Sequence, residues 1–317
     1  MPGTRFGRGR AAPALSFFLV AAILVPTALP ALEFGTRAST MPDLSGLAWL
    51  EGDLFLAVHD AKTPGEADLP RASLLELPED LDGIRWQPLE LAFPGEKSND
   101  FESVARIPGT PLVLLVESTE EQEEKPFSRR IFLAEFAEMR LAIRETVEWP
   151  VPTSNVEATA VAAVAGRLLF LFAERNGGSP NTEIRWAEME LDPVRFGPFR
   201  GVTFTSPGPV GPGARPVSAM DVDSRGNIYV ASAFDPGDDN GPFRSCVYRA
   251  GVVRVPGEAD SGKAVLLKER AKKVAELDGL KVESVALRQL PAAPAELFVG
   301  MDDENYGGTL RPVSLEE

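Results

Sequence analysis

Carboxylate side chains recur at matching places along the chain, and they are the residues best suited to chemistry. Glu102, Glu157 and Glu283 each stand at the start of a β-like run, and a second acid ends the apolar run that follows. Carboxylates brought together repel each other unless they are protonated, hydrogen-bonded or bound to a cation. Oxygen ligands without His or Cys favour Ca²⁺ or Mg²⁺ over zinc. The candidate ligands of a Ca²⁺ ion are therefore Glu102, Glu157, Glu283, Glu117, Glu174 and Asp302.

The same acids also suit a purely structural role. Each can accept backbone N–H hydrogen bonds at the end of its own strand, and no ion is then needed. Two further acidic loops, at residues 235–241 and 302–308, lack the ligand spacing of an EF-hand. The residue pattern leaves both roles open.

His59 is the one histidine in the chain, and it is the candidate general base. It ends an apolar run beside one of the acidic positions, and an imidazole exchanges its proton near neutral pH. A loop residue without chemistry is the alternative. A single histidine excludes an HExxH motif and a multi-histidine metal centre, and no GxSxG sequence occurs.

Five segments that carry these residues align at a spacing of about 60 residues. Each has a short β-like run, a turn rich in Gly, Pro, Asp or Ser, and a nearly continuous apolar run such as Leu112–Val116 or Leu168–Phe172. An apolar run without alternation predicts a strand that is buried on both faces. The equivalent positions at the start of the five units are Ser45, Glu102, Glu157, Ser218 and Glu283.

The remainder of each unit predicts two more strands. Alternating, more polar runs follow the apolar one, for example Arg130–Phe136 and Leu141–Trp149. Four antiparallel strands make one blade of a β-propeller, whose inner strands lie between neighbouring blades. The predicted fold class is therefore all-β, a propeller of five blades, with six blades as the alternative. Lys268–Leu277 has the one short helical pattern, and Glu33–Ser39 is predicted to complete the last blade beside Thr309–Leu315.

Propeller geometry brings the two sets of acids to one face. The first strand of a blade starts at the face to which the second strand returns, so the start of one and the end of the other meet there. We therefore expect an acidic rim on that face, and we expect Glu102, Glu157 and Glu283 to occupy equivalent positions in three blades.

The first residues of the chain predict export. Arg5, Arg8 and Arg10 precede an apolar run from Ala14 to Val25, which is the layout of a signal peptide. About 12 apolar residues are too few to span a bilayer. We assign residues 1–31 to the signal peptide and residues 32–317 to one propeller domain, and we expect a secreted or periplasmic monomer.

The net charge limits the partners. The formal charge of −15 repels nucleic-acid phosphates and anionic lipid headgroups, so neither nucleic acid nor a membrane is an expected partner. The partners that we expect at the acidic face are a small molecule, a glycan or a protein.

The segments DFESVA, NVEATA and KVESVA, each followed by a strand that ends in an acid, resemble a repeated D-x-E-G-[IL]-A theme. Exported propellers of the SdiA-regulated and phytase-like-esterase type carry this theme. The resemblance covers most of the chain after the leader in five patches, and it implies export, a propeller and metal-dependent ester or phosphoester hydrolysis. Positions that depart from the theme are Ser103, Ala158 and Ser284 in place of Gly, and Ser45 and Ser218 in place of Glu.

Two functions of different classes follow. The first is an exported propeller whose acidic, Ca²⁺-binding face binds a ligand or partner without catalysis. The second is a cation-dependent hydrolase of a small ester, lactone or phosphoester, in which Glu157, Glu283 and partners hold the metal and His59 or a carboxylate activates water.

Overall fold

The structure, a computed structural model, describes residues 41–61, 68–77, 83–118, 129–255, 264–302 and 307–315. Within these ranges the chain forms twenty β-strands and no helix. A helix long and apolar enough to cross a membrane is accordingly absent from the described ranges. The predicted signal peptide and Glu33–Ser39 lie outside them, so the domain boundary and the pairing of Glu33–Ser39 stay predictions.

The strands group into five antiparallel sheets in chain order. Blade 1 contains β1 to β4, at Gly46–Glu51, Leu54–Val58, Ala72–Glu76 and Arg85–Pro88. Blade 2 contains β5 to β8, at Phe101–Arg106, Leu112–Glu117, Arg130–Ala137 and Arg140–Glu148. Blade 3 contains β9 to β13, at Val156–Val164, Arg167–Glu174, Asn181–Leu191, Val194–Phe196 and Arg200–Thr205. The short strands β12 and β13 pair with different parts of β11, so together they fill the outer position of that blade.

The last two blades complete the set. Blade 4 contains β14 to β17, at Ala214–Val222, Asn227–Phe234, Arg244–Val253 and Val265–Asp278. Blade 5 shows three strands in its described part, β18 to β20, at Val282–Arg288, Glu296–Met301 and Thr309–Val313. The first strands of the blades, β1, β5, β9, β14 and β18, pack side by side in a closed ring. The fold is therefore the predicted five-bladed β-propeller, and the six-bladed alternative is wrong.

Apolar side chains fill the spaces between neighbouring blades. Leu114 and Val116 of β6 pack in one cluster with Phe170 and Phe172 of β10. Equivalent clusters join blades 3 and 4, blades 4 and 5, and blades 5 and 1. The second strands lie between two blades, which confirms the prediction that their continuous apolar runs are buried on both faces.

The helix predicted at Lys268–Leu277 is wrong, because this segment belongs to strand β17. β17 pairs with β16 from Val253 opposite Val265 to Arg244 opposite Asp278, with two shifts of register. The open edge of β16 offers a row of backbone N–H and C=O groups, and pairing with them outweighs the local helical tendency of a charged segment.

Gly46 lies at a close approach of blades 1 and 2. A Cβ atom there would lie 2.8 Å from the backbone nitrogen of Val104 and 2.9 Å from the Cα atom of Ser103, both in β5. We expect Gly46→Ala to lower the free energy of unfolding by about 1–3 kcal/mol, since backbone atoms cannot move aside as a side chain does. Chemical denaturation measures this. Gly177→Ala is the matched control, because a Cβ atom there meets nothing within 4 Å. Equal stability of the two variants would contradict the prediction.

Candidate functional site

The starts of the inner strands gather charged side chains at one mouth of the central channel. Glu102, Glu157 and Glu283 are each the second residue of an inner strand, in β5, β9 and β18. Arg215 is the second residue of β14 and stands three residues before Ser218, the aligned position of that unit. The three glutamates are close enough for their charges to interact. The structure thus gives them the equivalent positions that the sequence alignment predicts.

Each of these glutamates lies in a β-bulge. The pairing between first and second strand skips one residue at Glu102, at Glu157 and at Glu283. A bulged residue is left out of the ladder and its side chain is turned from the regular alternation. The bulges therefore turn three carboxylates toward the channel mouth while the flanking residues keep their contacts in the core.

Asp60, Asp100 and Glu102 form the tightest group of acids. One carboxylate oxygen from each lies within 4.8 Å of the others. Burial raises the pKa of Glu102 well above its ordinary value, and the negative charges of Glu157 and Asp100 raise it further. The group therefore holds a proton or a cation more readily than separate acids would.

Asp100 adopts an unusual backbone conformation at this site. Its φ of 73° lies in the left-handed region, where Asp is tolerated better than most residues other than Gly. Its backbone N–H bonds to the carbonyl of Ala61 and its own carbonyl accepts the N–H of Ser118, which ties blade 1 to blade 2. The loop before β5 is thereby held in a shape that brings Asp100 beside Glu102.

Arg215 neutralises the other side of the mouth. Its guanidinium contacts Glu283 and lies 2.6 Å from Asp235 Oδ2 and 3.8 Å from Glu157 Oε2. Burial alone would lower the pKa of Arg215, but these carboxylates hold it above its ordinary value. Arg175 Nη1 lies 3.6 Å from the second oxygen of Glu157. Glu157 and Glu283 thus have cationic partners supplied by the protein.

Lys281 neutralises the acids that follow blade 5. Its Nζ atom lies 2.6 Å from Asp302 Oδ2, 3.3 Å from Glu283 Oε1 and 3.6 Å from Asp235 Oδ2. Burial would raise the pKa of Asp302, but Lys281 lowers it below the ordinary value. Asp302 is therefore held ionised by a buried ammonium group.

Two further predicted ligands have partners away from the group of Asp60, Asp100 and Glu102. Glu117 is buried, and Arg130 Nε and Nη2 donate to its two oxygens at 3.0 and 2.7 Å. Burial still raises the pKa of Glu117. Glu174 accepts a hydrogen bond from Ser154 Oγ at 2.8 Å. Their role as cation ligands stays a prediction, and these contacts are those of strand-end caps.

His59 lies inside blade 1 rather than on the open rim, with 2% of its surface exposed. Nδ1 is 2.7 Å from the carbonyl oxygen of Asp43, and Nε2 is 2.9 Å from Ser73 Oγ. The carbonyl can only accept, so Nδ1 carries the proton and Nε2 accepts from the hydroxyl. Burial lowers the pKa of His59 to about 4. Both ring nitrogens make hydrogen bonds within the folded protein. The role of His59 as a general base stays a prediction.

The sequence alignment missed the basic residues of the mouth. Lys281 stands two residues before Glu283, and Arg215 stands three residues before Ser218, the matching position of its unit. Comparing basic as well as acidic residues across the five units would have found them. Asp60 and Asp100 were visible as neighbours of His59 and Glu102.

Several solved structures with a similar fold are glycosidases. The chain is similar to a family 43 endo-arabinanase from Bacillus licheniformis, with a TM-score of 0.50 and 11% identity over 87% of this chain and 95% of that one. A thermostable family 43 glycoside hydrolase gives a TM-score of 0.53 at 11% identity, over 88% of this chain and 91% of that one. The α-L-arabinanase of Cellvibrio cellulosa gives 0.51 at 10% identity, over 86% and 92%.

These likenesses establish the five-bladed propeller. At such low identity they carry the fold and not the activity. No protein-family model matches the chain, and no curated protein matches it significantly.

Proposed function

We propose that this protein is an exported propeller that binds Ca²⁺ at the acidic mouth of its channel and uses the ion to bind an oxygen-rich ligand without catalysis. The observation that supports this most directly is the group of Asp60, Asp100 and Glu102, whose oxygens lie within 4.8 Å of one another. Oxygen ligands sit about 2.3–2.6 Å from Ca²⁺, so ligands on opposite sides of one ion are about 5 Å apart. The separations between the three carboxylate oxygens are within that distance.

The distribution of charge supports the same choice of residues. Arg215 and Lys281 compensate Glu283, Asp235 and Asp302 on one side of the mouth. On the side of Glu102, burial and the neighbouring acids raise its pKa. A divalent cation relieves that repulsion, and it competes with the proton for Glu102.

Three carboxylates leave part of the coordination shell of Ca²⁺ open. The ion takes six to eight oxygen atoms, and hydroxyl or carboxylate oxygens of a small molecule, glycan or protein would complete the shell from the channel mouth. Sugars and acidic groups are the ligand chemistry that fits this arrangement.

The remaining expectations belong to the same proposal. The leader supports secretion or a periplasmic location, and the repeated acidic theme supports a place among propellers of the SdiA-regulated and phytase-like-esterase type. The formal charge of −15 supports a monomer in which neither nucleic acid nor an anionic membrane is a partner.

A hydrolase is the second candidate, and the raised pKa of Glu102 beside Asp100 favours it. Glycoside hydrolysis commonly uses one carboxyl that holds a proton and another that is ionised, and a cation-dependent hydrolase of esters or phosphoesters can use a carboxylate to activate water. Glu102 would donate the proton to the leaving group, and an ionised neighbour would activate water or bind the metal ion. The glycosidase neighbours fit a hydrolase of this general kind.

The cation site predicts a stability change. At a hundredfold excess of Ca²⁺ over its dissociation constant, the free energy of unfolding should rise by about 2.7 kcal/mol, because the ion binds the folded state alone. For a domain of this size the melting temperature rises by about 4 °C. Asp100→Asn and Glu102→Gln should each abolish the shift, whereas Glu188→Gln, on the outer surface of blade 3, should keep it.

Calorimetric titration with Ca²⁺, with Na⁺ and Mg²⁺ as controls for screening, completes this test. No heat of binding, together with melts that coincide in Ca²⁺ and in chelator, would reject the cation site. Turnover of generic ester, phosphoester or arabinoside substrates that disappears in Glu102→Gln would favour the hydrolase over the non-catalytic binder.

A further inference from the structure

A small cavity lies at the mouth of the channel opposite the group of Asp60, Asp100 and Glu102. It is lined near the far ends of all five inner strands, with a volume of about 50 Å³. Since one water needs about 10–15 Å³, the cavity has room for about three to five small heavy-atom groups, and it opens to solvent. Its lining combines apolar walls with the side chains of Arg106 and Asp221.

Arg106 presents its guanidinium at this cavity. The guanidinium carbon lies 4.5 Å from the centre of the Trp49 ring, a cation–π contact that fixes the plane of the group. Across the described part of the chain, Arg106 makes no hydrogen bond and no ion pair within 4 Å. Its N–H donors are therefore available to a planar carboxylate, which the guanidinium fork binds with two parallel hydrogen bonds.

Asp221 is held on another wall by the backbone. Oδ2 accepts the N–H of Leu287 at 2.8 Å, and Oδ1 accepts the N–H of Val222 at 2.7 Å. Each oxygen keeps a further lone pair for a ligand. Asp221 feels the charge of Arg106, yet the two do not approach within the 4 Å of an ion pair in the described structure. A cation and an anion thus stand fixed around one small cavity.

We propose that this mouth binds a small zwitterionic amino acid, of about five heavy atoms, with its carboxylate on Arg106 and its ammonium group on Asp221. A zwitterion satisfies both charges at once, and the apolar walls of Leu47, Val104 and Leu287 enclose the carbon between them. A simple carboxylate would pair with Arg106 alone and meet the like charge of Asp221. An amine would leave Arg106 without an anion.

The protonation state of Asp221 determines how ligand binding at this site should depend on pH. Burial raises the pKa of Asp221 to about 7, and Asp223 adds to this, whereas Arg106 and the two backbone N–H groups oppose it. Burial lowers the pKa of Arg106, while Asp221 and Glu51 raise it. An ammonium ligand prefers ionised Asp221, so binding should release protons and strengthen about tenfold from pH 6 to pH 8, as the ionised fraction rises.

Calorimetric titration of the whole protein with glycine tests the proposal, with acetate and methylammonium as the two half-ligands. Glycine should bind more tightly than either half-ligand. Arg106→Gln should weaken it at least tenfold, whereas Arg144→Gln, an exposed arginine on the outer strand of blade 2, should leave it unchanged. Asp221→Asn should remove the pH dependence. The measurements on the unaltered protein decide the matter even where a variant folds poorly.

Two results would overturn the proposal. One is the absence of binding heat with glycine at tens of millimolar at pH 8. The other is acetate binding as tightly as glycine with proton uptake, which would show a plain carboxylate site. Neither bears on the Ca²⁺ group, which lies at the other end of the channel.

Discussion

Arg215→Met should lower the free energy of unfolding by about 3–5 kcal/mol, because it removes one partner of a buried ion cluster. Glu283, Asp235 and Glu157 would lose their shared cation, and Lys281 would remain to compensate Glu283 and Asp235. Methionine keeps the apolar stem, so the loss measures charge rather than volume. Urea denaturation at pH 8 measures it.

The pH dependence separates this effect from poor packing. Burial and Asp302 already raise the pKa of Glu283, while Arg215 opposes them. Without Arg215, Glu283 takes up a proton more readily, so the cost should be smaller at pH 5 than at pH 8. Arg167→Met is the control, since its pair with Glu188 is exposed and contributes about 0–1 kcal/mol. A cost that is equal at both pH values would show that the cluster acts through packing alone.

Acidification should destabilise the fold through His59 by about 3 kcal/mol between pH 6.5 and pH 4. The pKa of His59 is lowered from 6.5 to about 4 by burial, so in this window the unfolded chain binds a proton that the folded chain does not. Stability therefore rises with pH through the window and is fully present above 6.5. The unfolding free energy measured against pH gives the slope.

His59→Asn isolates this contribution. The asparagine amide can still donate to the carbonyl of Asp43, while it no longer titrates. The difference between the two stability curves should be constant above pH 6.5 and should change by about 3 kcal/mol down to pH 4. Acids with a raised pKa, such as Asp221, act in the opposite direction and cancel in this comparison. Parallel curves would show that His59 is not held neutral.

The blade count and the identity of the second strand of each blade could be predicted from sequence. The spacing of about 60 residues and the continuous apolar runs at Leu112–Val116 and Leu168–Phe172 are local patterns, and burial between two blades is the physical demand that produces them. The alignment also located the starts of β5, β9 and β18 near Glu102, Glu157 and Glu283, whereas β14 begins at Ala214, four residues before the aligned Ser218. The helix predicted at Lys268–Leu277 was wrong, because pairing with the edge of β16 decides the structure of this segment.

The assembly of the site was decided by the tertiary structure. Glu157, Glu283 and Arg215 come from different blades, and Arg215 and Glu283 are 68 residues apart in the chain. No local pattern reports such a distance, and the bulges that turn the glutamates to the channel arise from strand pairing. Asp60 likewise meets Asp100 and Glu102 through the packing of blades 1 and 2.

The sequence by itself thus determined an all-β propeller of five units with acids at the strand ends. Strand burial and turn formation depend on residues that are close together in the chain, so short segments indicate both. The tertiary structure alone decided which acids have a cation of the protein beside them and which three stand together. Charge pairing depends on distances across blades, and those exist only once the ring of inner strands has closed.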